Sequence, residues 1–278
     1  MNKNFQAIAL DMDGTVLNSN KEIDEPTRQA IHEALAAGKE VIFCTGRSYS
    51  EMEEILEDFP DMHYLCGESG SLIFDLEKKE PLACRSLSPE TFSLLMDTAK
   101  KRNLIPHFFS EGADFIDRKH FPELKEYGME AFIPMFSKVA TQVDDIYEEG
   151  QKRSHRIEKL LLFHNSLESR EQTMEYLRNA GAEAALIYAE SYNIECSAPD
   201  VSKATGLTLL SEKTGIPMEQ IIMVGDADND LSALKAVGLA VAMGNANEQV
   251  KAACHVEVAD NDHNGCAEAI YKYLLNRA

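Results

Sequence analysis

Several features that would indicate a particular class of protein are missing from this 278-residue chain. Its six cysteines form no CxxC pair and no Cys/His cluster with ligand spacing, which argues against a zinc site. We expect these thiols to be reduced and buried. No apolar run approaches the ~20 residues that a transmembrane helix needs. There is also no internal repeat and no low-complexity segment.

Positive charge is scarce as well, with 27 Lys and Arg against 47 Asp and Glu and a formal charge of −20. Nucleic acids and anionic membranes both favour clustered Lys and Arg, so neither is an expected partner. The excess of acidic residues is typical of a solubility feature. The first residues, 1–4, lead directly into an apolar segment and lack a signal-peptide pattern. We therefore expect a cytoplasmic protein.

Two aspartates, Asp11 and Asp13, follow an apolar run at 7–10 and precede Gly14. The run has the pattern of a short buried strand, and Gly14 turns the chain away from it. Side chains at positions i and i+2 of an extended chain leave the same side, so the two carboxylates share one small volume. Their repulsion favours a bound cation or a shared proton. One carboxylate could attack an electrophile while its neighbour moves a proton.

The order of strand and helix patterns predicts an α/β core that is interrupted by an α+β insertion. Short apolar strands alternate with amphipathic helices in the first and last parts of the chain, which favours a parallel sheet with right-handed crossovers. The middle mixes helices with strand pairs, and the hairpin candidates are 107–117 and 184–196. We assign 1–83 and 197–278 to a Rossmann-like core with helices on both sheet faces, and 84–196 to an inserted α+β cap domain.

Two short motifs suit a phosphate group. Thr45-Gly46-Arg47 follows an apolar strand pattern, and a hydroxyl beside backbone N–H groups matches a phosphate oxygen. Capping of the next helix explains Thr45 equally well. Lys203 stands where a helical pattern begins, and a cation there opposes the helix dipole. A bound phosphate would compensate that cost, whereas a solvated surface lysine is the simpler alternative.

The acidic stretch 225–230, with the sequence GDADND, comes directly after a third apolar strand pattern. A turn or a helix cap needs only one such side chain, whereas three carboxylates at one strand end repel each other. The spacing matches half of an EF-hand loop, but the glycine at the sixth position and the later glutamate are missing. A few hard oxygen ligands predict Mg²⁺, with water and a substrate phosphate completing the octahedron.

In this order and spacing, the motifs resemble those of the haloacid dehalogenase superfamily of phosphohydrolases, most closely the Cof-type branch with a large α/β cap. The resemblance covers nearly the whole chain and includes Gly244-Asn245-Ala246. It implies a Mg²⁺-dependent phosphatase in which the cap closes over the site and supplies substrate contacts. Asp13 is the residue that hydrolases and mutases of this superfamily share and that the dehalogenases lack.

The resemblance also implies a role for each motif residue. Asp11 is then the nucleophile that becomes an aspartyl-phosphate, and Asp13 protonates the leaving alcohol and afterwards activates water. Mg²⁺ is held by the Asp11 carboxylate, the Asp13 backbone carbonyl and Asp226, while Asp230 supports these ligands from a second layer. The groups that bind the phosphate are Thr45, Lys203, Asn229 and the backbone N–H groups of Met12 and Gly46.

The main hypothesis is therefore a phosphomonoester hydrolase for small phosphorylated metabolites such as sugar phosphates, FMN or pyridoxal phosphate. A phosphosugar mutase or phosphotransferase of the same fold would pass the phosphoryl group to a sugar instead of water. A non-catalytic regulatory protein is a further alternative, which the presence of both Asp11 and Asp13 disfavours. The chain departs from the branch at Gly67-Glu68, where Asn-Gly is usual, and this bears on substrate choice. We expect a monomer or a homodimer.

Overall fold

The chain divides into two compact units, each built around its own sheet. The computed structural model describes residues 4–189 and 192–277. One unit contains Met1–Arg47, Glu53–Ala83 and Ser202–Ala278, and the other contains Ser48–Met52 and Cys84–Val201. The N-terminal segment 1–4, which lacks a signal-peptide pattern, includes residues 1–3. The predicted hairpin 184–196 includes residues 190 and 191. These five residues lie outside the described ranges.

The described residues form fourteen strands and ten α-helices. The strands are β1 (Ala7–Leu10), β2 (Glu40–Cys44), β3 (Tyr64–Gly67), β4 (Leu72–Asp75), β5 (Glu80–Cys84), β6 (Ile105–Ser110), β7 (Ala113–Asp117), β8 (Thr141–Val143), β9 (Lys159–Phe163), β10 (Ala185–Tyr188), β11 (Asn193–Ser197), β12 (Ile221–Gly225), β13 (Leu239–Ala242) and β14 (Val256–Glu257). The helices are α1 (Glu25–Ala36), α2 (Tyr49–Leu56), α3 (Pro89–Arg102), α4 (Ile133–Val139), α5 (Ile146–Arg153), α6 (Leu167–Asn179), α7 (Lys203–Thr214), α8 (Leu231–Ala236), α9 (Glu248–Ala253) and α10 (Gly265–Ala269). None of these helices is long and apolar enough to cross a membrane.

The first unit has an eight-stranded sheet in the order β14-β13-β12-β1-β2-β3-β4-β5. Its neighbours are parallel from β14 to β3, and β4 is antiparallel to β3. All four residues of β1 are fully buried, as expected for a central parallel strand that is covered on both faces. Ala7 and Ala9 share one apolar cluster with Leu207 and Leu210 of α7.

The second unit has a six-stranded sheet in the order β10-β11-β9-β6-β7-β8. It is antiparallel except for the pair formed by β7 and β8. Alternate residues of the strands belong to two different apolar clusters, because successive side chains of a strand point to opposite faces. One cluster includes residues of α3, α5 and α6, and the other includes residues of α4. The predicted class, a parallel α/β core with an α+β insertion, is confirmed.

Several local features differ from the sequence-based prediction. Strands β4 and β5 extend the core sheet beyond the strands that were predicted. The segment Arg118–Tyr127 is a 3-10 helix that contains Pro122, which lacks the N–H that a regular helix needs. Helix α10 is followed by a π-helix at Ile270–Leu274 instead of continuing regularly. The six cysteines are free, but Cys84 is exposed, so the expectation that all are buried is wrong for this residue.

Candidate active site

The carboxyl ends of adjacent parallel strands bring distant parts of the chain together. Strand β1 lies between β2 and β12, so Asp11, Thr45 and Asp226 all follow strands that end at the same edge of the sheet. Gly14 continues the chain after β1 with φ of +85°. A Cβ atom at this position would lie 2.5 Å from Asp226 Oδ2. The absence of a side chain therefore lets the loop after β1 approach the Asp226 carboxylate directly.

Lys203 is buried beneath this edge. The sequence alone had also allowed a solvated lysine on the surface. It is the first residue of α7, follows the N-cap Ser202, and is only 1% exposed. Its Nζ contacts Asp11 Oδ1 and lies 2.6 Å from Asp230 Oδ1. Burial alone would lower the pKa of Lys203, but Asp11 and Asp230 outweigh it and raise the pKa. The ammonium group is therefore charged at neutral pH, and the surface-lysine alternative is wrong.

Asp11 is the most perturbed carboxylate at this edge. Burial raises the pKa of Asp11 to about 7, against the attraction of Lys203 and together with the repulsion of Asp230 and Asp226. Burial likewise raises the pKa of Asp226, whose Oδ1 accepts a 2.9 Å hydrogen bond from Thr15 Oγ1. Such shifts are typical of carboxylates held close together where little water screens them.

The donor set at this edge fits a divalent cation. Oxygen atoms of Asp11, Asp226 and Asp230 lie within 4.8 Å of one another. Three carboxylates face one ammonium group, Lys203, so ionised they leave two negative charges unbalanced. Asp230 Oδ2 already accepts the backbone N–H groups of Asp226 and Ala227, at 3.0 and 3.1 Å. Asp11 and Asp226 therefore remain as the carboxylates best suited to hold a metal, while Asp230 holds the loop.

Asp13 has a different environment from Asp11, although the two are only two positions apart. Its side chain is 45% exposed and forms ion pairs with Arg47 and Lys21, each at 2.9 Å. The Arg47 guanidinium contacts both carboxylate oxygens. Partial burial alone would raise the pKa of Asp13, but the two cations outweigh it and hold the pKa below its usual value. Asp13 is therefore an ionised group bound to two cations in this conformation.

The remaining residues assigned from the sequence lie at the same edge but in mixed environments. Thr45 is buried, and its Oγ1 accepts a hydrogen bond from the backbone N–H of Arg47 at 3.2 Å. Met12 is fully buried, and its carbonyl oxygen accepts the N–H groups of Thr15 and Leu17. Asn229 is exposed within the 3-10 turn that follows β12.

Some contacts at this edge were not assigned from the sequence. Arg47 and Lys21 bind Asp13, and Thr15 binds Asp226, yet none of the three had been given such a role. Arg47 lies inside a motif, so its position was a usable signal. Lys21 lies in a turn with φ of 63° and belongs to no motif, so nothing in the sequence pattern singled it out.

Comparison with known proteins agrees with this arrangement of motifs. The family model described as haloacid dehalogenase-like hydrolase matches residues 8–270. The chain belongs to this family. A similar solved structure is a haloacid dehalogenase-like hydrolase from Bacteroides thetaiotaomicron, with 26% identity and a TM-score of 0.83, covering 96% of this chain and 98% of that one.

Several curated proteins that resemble this chain are named as phosphatases. The 5-amino-6-(5-phospho-D-ribitylamino)uracil phosphatase YcsE of Bacillus subtilis is 29% identical over 98% of this chain and 96% of its own length. The pyridoxal phosphate phosphatase YbhA of Escherichia coli is 26% identical over 97% and 99%. This haloacid dehalogenase-like hydrolase is accordingly an enzyme, a phosphatase of the Cof-type branch.

Proposed function

We propose that the protein is a Mg²⁺-dependent phosphomonoester hydrolase that acts on small phosphorylated metabolites through an aspartyl-phosphate intermediate. The observation that carries this proposal is the buried cluster in which Asp11, Asp226 and Asp230 face a single cation, Lys203. A divalent cation would balance the two remaining charges. The ammonium group of Lys203 lies against the nucleophile candidate, Asp11, which is the place where it would bind a phosphate oxygen of the substrate.

In the first step, an Asp11 carboxylate oxygen attacks phosphorus and the bond from phosphorus to the alcohol oxygen breaks. Asp13 delivers a proton to that oxygen, and the product alcohol leaves. In the second step, Asp13 takes a proton from water, whose oxygen attacks phosphorus and displaces Asp11, releasing inorganic phosphate. Asp13 must leave Arg47 and Lys21 before it can carry a proton, because both cations favour its ionised form.

Asp11, Asp226 and the Asp13 backbone carbonyl are the groups proposed to hold Mg²⁺. When bound, the cation reduces the repulsion between the carboxylates and the substrate phosphate and stabilises charge on the phosphoryl oxygens. Asp230 orients the loop after β12 through its hydrogen bonds to Asp226 and Ala227. The groups proposed to bind the phosphate are Thr45, Lys203, Asn229 and the backbone N–H groups of Met12 and Gly46.

The named relatives suggest where the search for a substrate starts. Both 5-amino-6-(5-phospho-D-ribitylamino)uracil and pyridoxal phosphate join a phosphate ester to a heterocyclic ring. We propose that the substrate of this enzyme is a phosphate ester similar in size to these two compounds. FMN and sugar phosphates are further candidates with different leaving groups. Residues 84–196, proposed as the cap domain, are the segment in which substrate-selecting residues are to be sought.

Phosphate release from p-nitrophenyl phosphate and from a panel of these esters tests the proposal. Each assay is run with Mg²⁺ and with EDTA, beside Asp11→Asn. Release that requires Mg²⁺ and is lost in the variant supports the proposed chemistry. Isomerised sugar phosphate without free phosphate would indicate a mutase, and a folded protein that turns over none of the panel would contradict the hydrolase assignment.

A further inference from the structure

The segment that follows the nucleophile candidate is fastened to a second part of the first unit. Asn245 Nδ2 donates a 2.8 Å hydrogen bond to the carbonyl oxygen of Gly14. Asn261 Nδ2 donates to the carbonyl oxygen of Leu17 at 3.0 Å, and Asn245 Oδ1 accepts the backbone N–H of Asn261 at 3.1 Å. Asn245 thus joins the loop after β13 to both the segment after β1 and the loop that precedes α10.

Two residues of the fastened segment touch the carboxylate of Asp226. Thr15 Oγ1 donates to Asp226 Oδ1 at 2.9 Å. Gly14 packs so closely that a Cβ atom on it would lie 2.5 Å from Asp226 Oδ2. One carboxylate oxygen is therefore held by a hydrogen bond from this segment, and the other occupies the space that a side chain at position 14 would fill. A shift of the segment would rotate or displace the carboxylate.

The backbone carbonyl groups of the same two residues are held by side chains outside the proposed chemistry. Asn245 holds the carbonyl of Gly14, and the Cys266 thiol donates to the carbonyl of Thr15 at 3.3 Å. Cys266 is 1% exposed, so water does not compete for this contact. Asn245 is exposed, and its side chain makes one hydrogen bond as a donor and one as an acceptor.

We propose that Asn245, assisted by Cys266, is a positioning residue for the metal ligand Asp226, acting through the backbone of Gly14 and Thr15. This inference rests on the Mg²⁺ site of the proposed function. Hydrogen bonds behind a metal ligand set its orientation, and their removal weakens metal affinity by about 10- to 100-fold in other proteins. Asn245 acts one layer further out, so the lower end of that range, about 10-fold, is expected.

Asn245→Asp is the sharpest variant because it keeps the size of the side chain, replaces the donor to Gly14 by an acceptor and adds one negative charge. Its matched control is Gln249→Glu, four positions away. Gln249 is exposed in α9, so this variant adds the same charge on the same side of the loop after β13. An added negative charge near a cation site strengthens metal binding. If Asn245 positions Asp226, the Kd for Mg²⁺ rises in Asn245→Asp, whereas the added charge by itself would lower it.

Isothermal titration of Mg²⁺ into the EDTA-treated, dialysed full chain measures the effect without turnover. We expect the Kd to rise about 10-fold for Asn245→Asp and to stay equal or fall for Gln249→Glu. Equal or tighter binding by Asn245→Asp overturns the inference. A wild-type chain that binds no Mg²⁺ overturns the proposed metal site itself, so the two failures are distinguishable.

Two further variants exclude a loss of folding as the cause. Asn245→Ser shortens the side chain without adding charge, and we expect a similar weakening with an unchanged Tm in EDTA. Thr15→Val removes the hydrogen bond to Asp226 directly. If Asn245 acts through this segment, its effect on the Kd is smaller in the Thr15→Val background than in the wild type. Fully additive effects would show that Asn245 acts by another route.

Discussion

Buried charges are arranged differently in the two units of this protein. In the first unit, Asp11, Asp226 and Asp230 gather around one cation, Lys203, and negative charge is left over. The second unit holds separate pairs and, apart from them, a buried carboxyl group, Glu158. Lys159 lies 2.7 Å from Glu195, and the His107 imidazole lies 3.2 Å from Asp114.

The difference separates a reactive arrangement from a structural one. When a buried positive charge lies beside a buried negative charge, their attraction offsets the cost of removing both from water. Little net charge then remains for a bound ligand to neutralise. A cluster with surplus charge of one sign keeps the pKa values of its members displaced until a cation or substrate binds, which is the usual condition of an active site. The cluster at the sheet edge of the first unit is accordingly where the chemistry is expected. The predictions below test this contrast in order of decreasing effect.

The largest effect is expected for Asp11→Asn. The amide cannot attack phosphorus, so kcat should fall at least about 1000-fold. The fold should persist, because the substitution removes one of several mutually repelling carboxylates. Steady-state phosphate release measures the loss, and Asp97→Asn on the exposed face of α3 removes the same charge as a control. Retention of more than a tenth of the activity by Asp11→Asn would refute its role as the nucleophile.

Lys203→Met should have the next largest effect. Removing a cation that stabilises the transferring phosphoryl group costs about 100- to 1000-fold in kcat. Vanadate, which competes with phosphate, should bind more weakly to the variant, and the Tm in EDTA should fall because Asp11 and Asp230 lose their buried partner. Inhibition titrations measure the first effect and thermal melts the second. Unchanged vanadate inhibition would mean that Lys203 has only a structural role.

A smaller effect, on stability alone, is expected for Glu158→Gln in the second unit. Burial raises the pKa of Glu158 from 4.5 to about 7, although its oxygens accept hydrogen bonds from Glu111 N and Ser86 Oγ. The folded state then keeps a proton that the unfolded state loses, so this group's stabilising contribution falls as pH rises from about 4.5 to about 7.

Glutamine stays neutral and avoids that loss. Glu158→Gln should therefore match the wild type near pH 4.5 and exceed its free energy of unfolding by about 3 kcal/mol at pH 8. Denaturant titrations at the two pH values measure the difference. Glu175→Gln, exposed on α6, is the control in which the pH dependence should be unchanged. A Glu158→Gln variant that is less stable than the wild type at pH 8 would contradict the argument.

The smallest change in stability is expected for Arg47→Met. Its ion pair with Asp13 is exposed to solvent, and such pairs contribute less than about 1 kcal/mol. Denaturant titration in EDTA should therefore separate this variant clearly from Lys203→Met. Equal destabilisation by the two substitutions would mean that the contrast between exposed and buried charges in this site is wrong.

The sequence predicted the parts of the fold and site that depend on local patterns. Asp11 and Asp226 could be placed at strand ends because each directly follows an unbroken apolar run, and parallel strands end at a common edge. Strand β5 was not predicted, because it is half-exposed and contains Glu80 and Pro81. Strand β4 was missed although it contains the buried apolar run Leu72-Ile73-Phe74, because this run is only three residues long. The partners of Asp13 and the contacts of Asn245 lie on loops that are distant from each other in the sequence. Tertiary packing brings these loops together, and no local sequence pattern predicts it.

Position 14 illustrates how a residue without a functional group can be as restricted as a catalytic one. Every substitution of a glycine adds at least a Cβ atom, and here that atom would meet the Asp226 carboxylate on a backbone that L-residues rarely adopt. No replacement is conservative in this setting. In a saturation mutagenesis experiment, we expect position 14 to tolerate as little variation as Asp11, and an alignment of active relatives would show the same restriction without any chemical role for the residue itself.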